Sequence, residues 1–258
     1  MRARLRRTRP DPAVEVAMRD GVAWMTLARP ADQNRLGPEL LAALVDACAA
    51  VEDDAAVRVA VLAARGRAFS AGLPRGCAWP EPAWPDGIGA VAALTKPVVG
   101  VLQGDALGWG LGLALACDLR VAARGVTVAL PDVGQGRLPG GGAMVRLARM
   151  VGVARALEMA LLGVSLSATR AAGWGLVTTV VERRRLARTA EELARGLASR
   201  GPLALRLAKE AVVRALDLPL ADGIRLEQDL YVLLQTTADR EEGVRAFLAR
   251  RPPRFGGR

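Results

Sequence analysis

Histidine is absent from the whole chain of 258 residues, and this absence limits the chemistry that the protein can perform. A Ser-His-Asp triad, a Cys-His nucleophile pair and a histidine-ligated metal are all excluded. Any general acid or base must therefore be an Asp, Glu, Lys, Tyr or Cys side chain. Aromatic residues make up 3% of the sequence, so the core must be aliphatic.

Cysteines and long apolar runs are also scarce. The three cysteines, Cys48, Cys77 and Cys117, lie far apart without a Cys-x-x-Cys motif, which favours core thiols over disulfides or metal ligands. No apolar run approaches the length of a membrane-spanning helix, and no signal-peptide pattern opens the chain. We therefore predict a cytoplasmic protein that has no membrane partner and no bound metal.

The net charge of +10 is concentrated at the two ends of the chain. Residues 1–10 hold five arginines and residues 250–258 hold four, and neither segment contains an acidic residue. The rest of the chain is nearly neutral, whereas a nucleic-acid-binding protein usually carries a basic face on its folded body. We therefore predict no nucleic-acid partner, and we assign residues 1–12 to a basic, disordered tail.

Hydrophobic periodicity divides the chain near Gly142. Before that point, apolar and polar residues alternate on either side of Asp20-Gly21, which predicts a β-hairpin, and short buried strands alternate with helices. After it, helical spacing dominates, and Ser167 and Asp239 are candidate N-caps. The sequence therefore predicts an α/β first part and a helical second part.

Two glycine-containing turns, at residues 70–73 (SAGL) and 107–110 (LGWG), each follow a short apolar segment. If the two preceding strands are neighbours in one sheet, two backbone N–H groups converge on one carbonyl oxygen as an oxyanion hole. The alternative is that both are tight strand-to-helix turns selected for packing. The dinucleotide-binding motif GxGxxG is incomplete here, because a match that starts at Gly108 has Leu113 instead of glycine at its sixth position. The sequence therefore does not indicate a dinucleotide site.

Several short segments occur in an order that is typical of one enzyme family. They are 27–30 (LARP), 34–36 (NRL), 66–72 (GRAFSAG), 96–98 (KPV), 104–120, 130–132 (LPD), 138–142 (LPGGG) and 247–255. Each segment is weak evidence alone, but the ordered set is specific. By these segments the chain resembles the enoyl-CoA hydratase/isomerase, or crotonase, superfamily from near residue 13 to its C terminus.

The resemblance implies an α/β fold of the ClpP/crotonase-like class, a spiral of ββα units over residues 13–200. It also implies a C-terminal helical region over residues 201–258 that forms a homotrimer, and two trimers can pair into a homohexamer. The substrates of such proteins are acyl-CoA thioesters. Coenzyme A therefore arrives as part of the substrate, and no separate cofactor is expected.

The resemblance also implies which groups act on the thioester. The backbone N–H groups of Leu73 and Trp109 would bind the thioester carbonyl as an oxyanion hole. Hydratases of this type carry two glutamates, and the matching positions here are Gly112 and Asp132. Because hydration needs two such groups and double-bond isomerisation needs one, the sequence favours isomerisation by Asp132. The alternative for Asp132 is a turn residue that bonds its own backbone.

The resemblance assigns further residues to acyl-CoA binding. Phe247 and Arg250 match C-terminal positions that touch adenine and phosphate, often from a neighbouring subunit. The alternative for Arg250 is a surface charge at a helix end. Trp109 replaces a glycine of the family, so its indole lies either in the acyl pocket or in the neighbouring core. The predicted substrate- and CoA-binding residues are Arg29, Asn34, Arg35, Leu36, Ser70, Ala71, Gly72, Gly108, Phe247 and Arg250.

Two alternatives to this reaction stay open in the sequence. The first is another reaction of the same superfamily, such as decarboxylation or thioester hydrolysis. The second is a subunit that binds a CoA thioester without catalysis, because Gly112 removes one of the two family glutamates.

Overall fold

The computed structural model describes residues 11–77 and 83–258, so most of the predicted N-terminal tail, residues 1–10, lies outside the described residues. The predicted hairpin is confirmed: β1 (Val14–Arg19) and β2 (Val22–Leu27) pair antiparallel around a tight turn. Asp20 and Gly21 both have positive φ angles there, of 51° and 75°, as a two-residue hairpin turn requires.

The described residues form two sheets. The remaining strands are β3 (Val59–Ala64), β4 (Ala68–Ser70), β5 (Val98–Leu102), β6 (Asp105–Leu107), β7 (Leu119–Ala123), β8 (Thr127–Ala129), β9 (Leu166–Ser167) and β10 (Thr179–Val181). The larger sheet has the order β1-β2-β3-β5-β7-β10 and is parallel from β2 onward. Its central strand β5 is an apolar run buried throughout, because both faces of a parallel sheet are covered.

The smaller sheet has the order β4-β6-β8-β9. Each of its first three strands directly follows a strand of the larger sheet, so the chain steps repeatedly from one sheet to the other. The sequence predicts no strand at residues 68–70 or 105–107, where the structure has β4 and β6. A strand of three residues is too short to show a periodicity, and these two form because they pair with each other.

Helices cover the sheets and make up most of the second part of the chain. They are α1 (Pro38–Asp53), α2 (Gly87–Ala93), α3 (Trp109–Ala116), α4 (Ala143–Val151), α5 (Val153–Leu162), α6 (Ala168–Gly173), α7 (Leu186–Ala198), α8 (Pro202–Ala215), α9 (Leu220–Gln235) and α10 (Ala238–Leu248). α3 is buried over residues 110–116, because it runs between the smaller sheet, α2 and α4. Among these described helices, none is both long and apolar enough to cross a lipid bilayer.

The two predicted N-caps have different outcomes. Ser167 is confirmed as the N-cap of α6, since its side chain accepts from a backbone N–H of the first turn at 3.3 Å. Asp239 is not the N-cap of α10, because Thr237 has the extended backbone that a cap needs and accepts the capping bond. The Asp239 carboxylate instead accepts from the N–H groups of Gly256 and Gly257, which holds the C-terminal segment on α10.

Candidate active site

The two glycine turns that the sequence pairs lie side by side. β3 and β5, the buried strands that precede the two turns, are parallel neighbours in the larger sheet, as the sequence requires. β4 and β6, which lead directly into the turns, are parallel neighbours in the smaller sheet, so both turns leave the same end of it. A methyl group at Gly72 would lie 2.9 Å from the carbonyl oxygen of Leu107 and 3.6 Å from the nitrogen of Trp109. Gly72 also has a φ of 85°, so this close approach of the two turns requires glycine.

Each turn contributes one unused backbone donor. Among the described residues, the N–H groups of Leu73 and Trp109 have no hydrogen-bond acceptor. Trp109 is the first residue of α3, where a backbone N–H has no partner within the helix. The neighbouring polar groups are used, because the Gly72 N–H donates to Ser70 Oγ at 3.3 Å and the Gly72 carbonyl accepts from the Leu36 N–H at 2.8 Å.

Arg35, predicted to contact coenzyme A, binds the backbone of the first turn. Its Nη1 donates to the carbonyl oxygens of Ala71 at 3.1 Å and Leu73 at 2.6 Å. Together with the Leu36 N–H on the Gly72 carbonyl, these bonds hold three successive carbonyl oxygens. The Arg35 guanidinium therefore fixes the peptide planes of the turn that presents the Leu73 N–H.

Asn34 and Arg29 hold the same loop in place. Asn34 is fully buried, its Oδ1 accepts from the Arg29 N–H at 2.9 Å, and its Nδ2 donates to the carbonyl oxygens of Arg65 and Ala68. The Arg29 guanidinium donates to backbone carbonyls ahead of β1 and pairs with Glu39. Both side chains are structural here, and their contacts with coenzyme A stay predictions.

Asp132 lies at the second glycine turn. It is 4% exposed, and a methyl group at Gly108 would lie 2.9 Å from its Oδ2. Oδ2 is buried and has no hydrogen-bond partner among the described residues. The Asp132 side chain makes no capping bond to the short 3-10 turn that follows it, although its carbonyl oxygen accepts from the N–H groups of Gln135 and Arg137. The turn interpretation holds in part, because an interaction with the backbone of Asp132 itself lowers the pKa of its carboxyl. Its Oδ2 is the oxygen left to the site.

Arg137 is a site residue that the sequence did not reveal. Its Nη2 lies 4.0 Å from Asp132 Oδ1, its Nη1 donates to the carbonyl oxygen of Cys77 at 3.1 Å, and its Nη2 also donates to the Gln135 side chain. Burial raises the pKa of Asp132 from its ordinary value, and the positive charge of Arg137 opposes that rise. An arginine in a glycine-rich loop belongs to no motif, so the folded loop alone shows this contact.

The indole of Trp109 packs against the loop that precedes α4. A Cβ at Gly140 would lie 2.5 Å from its Cζ2, and a Cβ at Gly141 would lie 3.3 Å from its Cε3 and 2.6 Å from Ile88 Cδ1. The ring therefore packs against the neighbouring core, which is the second of the two positions that the sequence allows. A Cβ at Gly112 would lie 3.1 Å from the Gly141 carbonyl oxygen, so a side chain there would face backbone oxygens.

Phe247 and Arg250 are exposed at the end of α10. Phe247 is 82% exposed, so in a single chain it is not seated against either glycine turn. Arg250 follows α10 and has a φ of 50°. Contacts of these two residues with a substrate would need a neighbouring subunit, and they stay predictions.

The model of the enoyl-CoA hydratase/isomerase family matches residues 17–258. The chain belongs to this family. The chain is 36% identical over 250 residues to 2,3-dehydroadipyl-CoA hydratase of Escherichia coli K12, which covers 94% of this chain and 98% of that relative. It is also 36% identical over 251 residues to 1,2-epoxyphenylacetyl-CoA isomerase of the same organism, covering 92% and 96%. An enoyl-CoA hydratase structure from Bacillus anthracis matches with a TM-score of 0.89 at 33% identity, covering 95% and 100%.

Membership of the enoyl-CoA hydratase/isomerase family confirms the resemblance and the crotonase fold predicted from the sequence. The chain is accordingly an enzyme of that family and processes acyl-CoA thioesters. Both hydratases and isomerases occur among its relatives, so the choice of reaction depends on the residues of this site.

Proposed function

We propose that this enzyme shifts a double bond within an acyl-CoA thioester and uses Asp132 as its single acid/base. The observation that carries the proposal is that three unused groups lie together. They are the buried Oδ2 of Asp132 and the backbone N–H groups of Leu73 and Trp109. A group that can lift and return a proton is thus next to donors for a developing oxyanion.

The N–H groups of Leu73 and Trp109 serve as the oxyanion hole in this proposal. The thioester carbonyl oxygen accepts from both, and both bonds strengthen as negative charge builds on that oxygen in the enolate. The Trp109 N–H lies at the first position of α3, so the positive end of the helix dipole adds to the stabilisation. Removing one such donor typically lowers kcat by roughly a hundredfold or more.

Asp132 moves one proton within the substrate. Its Oδ2 takes a proton from C2 of a 3-enoyl thioester, and the electrons pass to the thioester oxygen to give a dienolate. The same carboxyl returns the proton to C4, which leaves the double bond between C2 and C3. Burial raises the pKa of Asp132, which makes its carboxylate a stronger base toward a carbon acid.

Hydration is the second candidate reaction, because a relative named as a hydratase is 36% identical over 250 residues. Adding water needs one group that activates the water and one that protonates the α-carbon. Gly112 supplies neither, and a side chain at this position would start 3.1 Å from the Gly141 carbonyl oxygen. For hydration, Asp132 would have to activate the water and also protonate the α-carbon. Isomerisation needs only one proton-carrying group, so this site favours isomerisation.

We further propose that the enzyme is a cytoplasmic homotrimer or a pair of trimers. α8 and α9 enclose an apolar groove of about 510 Å³, and Val212, Leu220 and Tyr231 on these helices are 70%, 82% and 64% exposed. Several large apolar side chains exposed together on neighbouring helices are typical of a surface that another subunit covers. A neighbouring subunit would also bring Phe247 and Arg250 to coenzyme A. Light scattering should give three or six times the chain mass of 27.1 kDa, and a monomer would contradict this assembly.

The reaction is tested by offering the purified protein 3-enoyl-CoA and 2-enoyl-CoA of the same chain length. We expect conversion of the 3-enoyl to the 2-enoyl thioester, with slower or no hydration of the 2-enoyl thioester. Asp132→Asn should lower the isomerisation rate by about a hundredfold or more and still bind the thioester. Asp46→Asn makes the same chemical change on the exposed side of α1 and should have no effect.

Other outcomes of this experiment identify the alternatives. Hydration that is faster than isomerisation would contradict the proposal. Release of free coenzyme A indicates a thioester hydrolase, and release of carbon dioxide from a carboxylated acyl-CoA indicates a decarboxylase. Binding of every thioester without turnover indicates a non-catalytic subunit.

A further inference from the structure

Arg137 connects the loop that carries Asp132 to the loop that follows Leu73. Its Nη1 donates to the Cys77 carbonyl oxygen at 3.1 Å, and its Nη2 donates to the Gln135 side chain. The same Nη2 lies 4.0 Å from Asp132 Oδ1, and the Arg137 N–H donates to the Asp132 carbonyl oxygen at 3.0 Å. Arg137 therefore contacts Asp132 through both its main chain and its side chain.

The bonds to Cys77 and Gln135 fix where the guanidinium lies. An unrestrained arginine would form a two-pronged pair with a carboxylate and use both of its oxygens. Here the guanidinium is held at 4.0 Å from Oδ1, and Oδ2 of Asp132 is left without a partner among the described residues. The positive charge thus acts on the carboxylate while one oxygen stays available to a substrate proton.

Arg137 supplies the one charge that acts on the Asp132 carboxylate within the part of the chain that the structure describes. The start of α3, which lies against Oδ2, contributes Gly108 and Trp109, which carry no charge. A buried carboxylate loses hydration that favours its charged form, and an opposite charge at this distance restores part of that preference. The effect is larger than in water because little solvent separates the two groups.

The charged residues of α5, which packs on the short turn of residues 133–135, are engaged elsewhere. Arg155 lies over the ring of Trp174, with its Cζ 5.2 Å from the ring centre. Glu158 forms an ion pair with Arg170 at 3.3 Å. Neither side chain competes with Arg137 for Asp132.

We propose that Arg137 is a positioning residue that keeps Asp132 ionised and leaves its Oδ2 directed to the substrate. The inference rests on the function proposed above for Asp132. A carboxylate must be ionised to take a proton from carbon, and a buried one without a cation is protonated over a wider pH range. Arg137 therefore sets the pH range over which the enzyme works.

The proposal is tested by measuring kcat/KM for isomerisation against pH in the wild type, Arg137→Gln and Arg137→Lys. In Arg137→Gln the fall of kcat/KM on the acid side should move to higher pH. Below the wild-type midpoint its kcat/KM should be about tenfold lower, and at the alkaline plateau the two enzymes should agree within about threefold. Arg137→Lys keeps the positive charge and should stay close to the wild-type profile.

Arg124→Gln is the matched control, because it removes an exposed arginine that pairs with Glu182 on the far edge of the larger sheet. Its pH profile should equal that of the wild type. Equal losses at every pH in Arg137→Gln and Arg137→Lys would overturn the proposal, because they would show that Arg137 merely holds the loop together.

A second measurement does not depend on turnover. The carboxyl carbons of ¹³C-labelled aspartate are followed by NMR against pH, and Asp132→Asn assigns the signal of Asp132. That signal should titrate at higher pH in Arg137→Gln than in the wild type, and an unchanged midpoint would overturn the inference. If the signal moves but the wild type turns over no 3-enoyl-CoA, the proposed reaction fails while the effect of Arg137 on Asp132 stands.

Discussion

The indole of Trp109 and the backbone of Gly140 fit together so closely that a Cβ at residue 140 would lie 2.5 Å from Cζ2 of the ring. The large side chain lies at the start of α3, and the residue without a side chain lies on the loop before α4. This contact joins the helix that carries a proposed oxyanion donor to the segment that follows Asp132. The loop before α4 and the start of α3 are therefore in direct contact.

Gly140→Ala should destabilise the fold, because the added methyl group overlaps the Trp109 ring. We expect a loss of about 1–3 kcal/mol in the free energy of unfolding, measured by urea denaturation. Gly134→Ala is the control, since a Cβ there meets nothing within 4 Å. The loss should shrink when Gly140→Ala is combined with Trp109→Ala, and an equally large loss in the double variant would contradict the contact.

Trp109→Pro should remove the proposed oxyanion donor without disrupting α3. Proline lacks a backbone N–H but is well tolerated at the first position of a helix, which Trp109 occupies. We expect kcat to fall by roughly a hundredfold or more. Trp109→Ala loses the indole but keeps the N–H, so its kcat should stay within about tenfold of the wild type. Similar losses in both variants would show that the ring matters and the N–H does not.

Arg35→Met should lower kcat more than it raises KM. The guanidinium bonds to the Ala71 and Leu73 carbonyl oxygens are lost, so the turn no longer holds the Leu73 N–H in one orientation. Charged donors of this kind contribute about 1.5–3 kcal/mol, which predicts a kcat lower by about tenfold to a hundredfold. Arg19→Met, on the exposed strand β1, should leave kcat unchanged. A rise in KM alone would instead support the predicted contact of Arg35 with coenzyme A.

Asp132→Asn should stabilise the folded enzyme at neutral pH. Burial raises the pKa of Asp132 in the folded state, so the folded chain holds this proton more tightly than the unfolded chain. The stability that this group contributes is therefore present at acid pH and is lost as the pH rises through the folded-state pKa. Asparagine carries no charge and so avoids the cost of a buried ionised carboxylate. We expect the free energy of unfolding at pH 7 to rise on the order of 1 kcal/mol, measured by thermal or chemical unfolding. A loss of stability at pH 7 would contradict the burial of an ionised carboxylate.

The sequence predicts features that depend on near neighbours in the chain. The hairpin at Asp20-Gly21, the N-cap at Ser167 and the two glycine turns are such features, because turn and capping chemistry is local. The two turns come together only if the strands before them are neighbours, a pairing that no local pattern determines and that the structure shows.

Features that depend on distant contacts are missed or misassigned. Asp239 has the chemistry of an N-cap, but its partners are the N–H groups of Gly256 and Gly257, seventeen and eighteen residues away. Arg137 meets Cys77 across sixty residues, so no local pattern indicates it. Arg35 is among the residues that the resemblance assigns to acyl-CoA binding, but its bonds to the first turn depend on how its loop folds.

In the proposed reaction, a single carboxylate moves a proton between two carbons of one substrate. The most direct test uses a 3-enoyl-CoA that carries deuterium at C2, converted in ordinary water. Because Asp132 is 4% exposed, its carboxyl should return part of the deuterium to C4 before exchange with solvent. We expect 2-enoyl-CoA with measurable deuterium at C4, and we expect Asp132→Asn to form no such product. A 3-hydroxyacyl-CoA product with oxygen from water and no deuterium at C4 would contradict it.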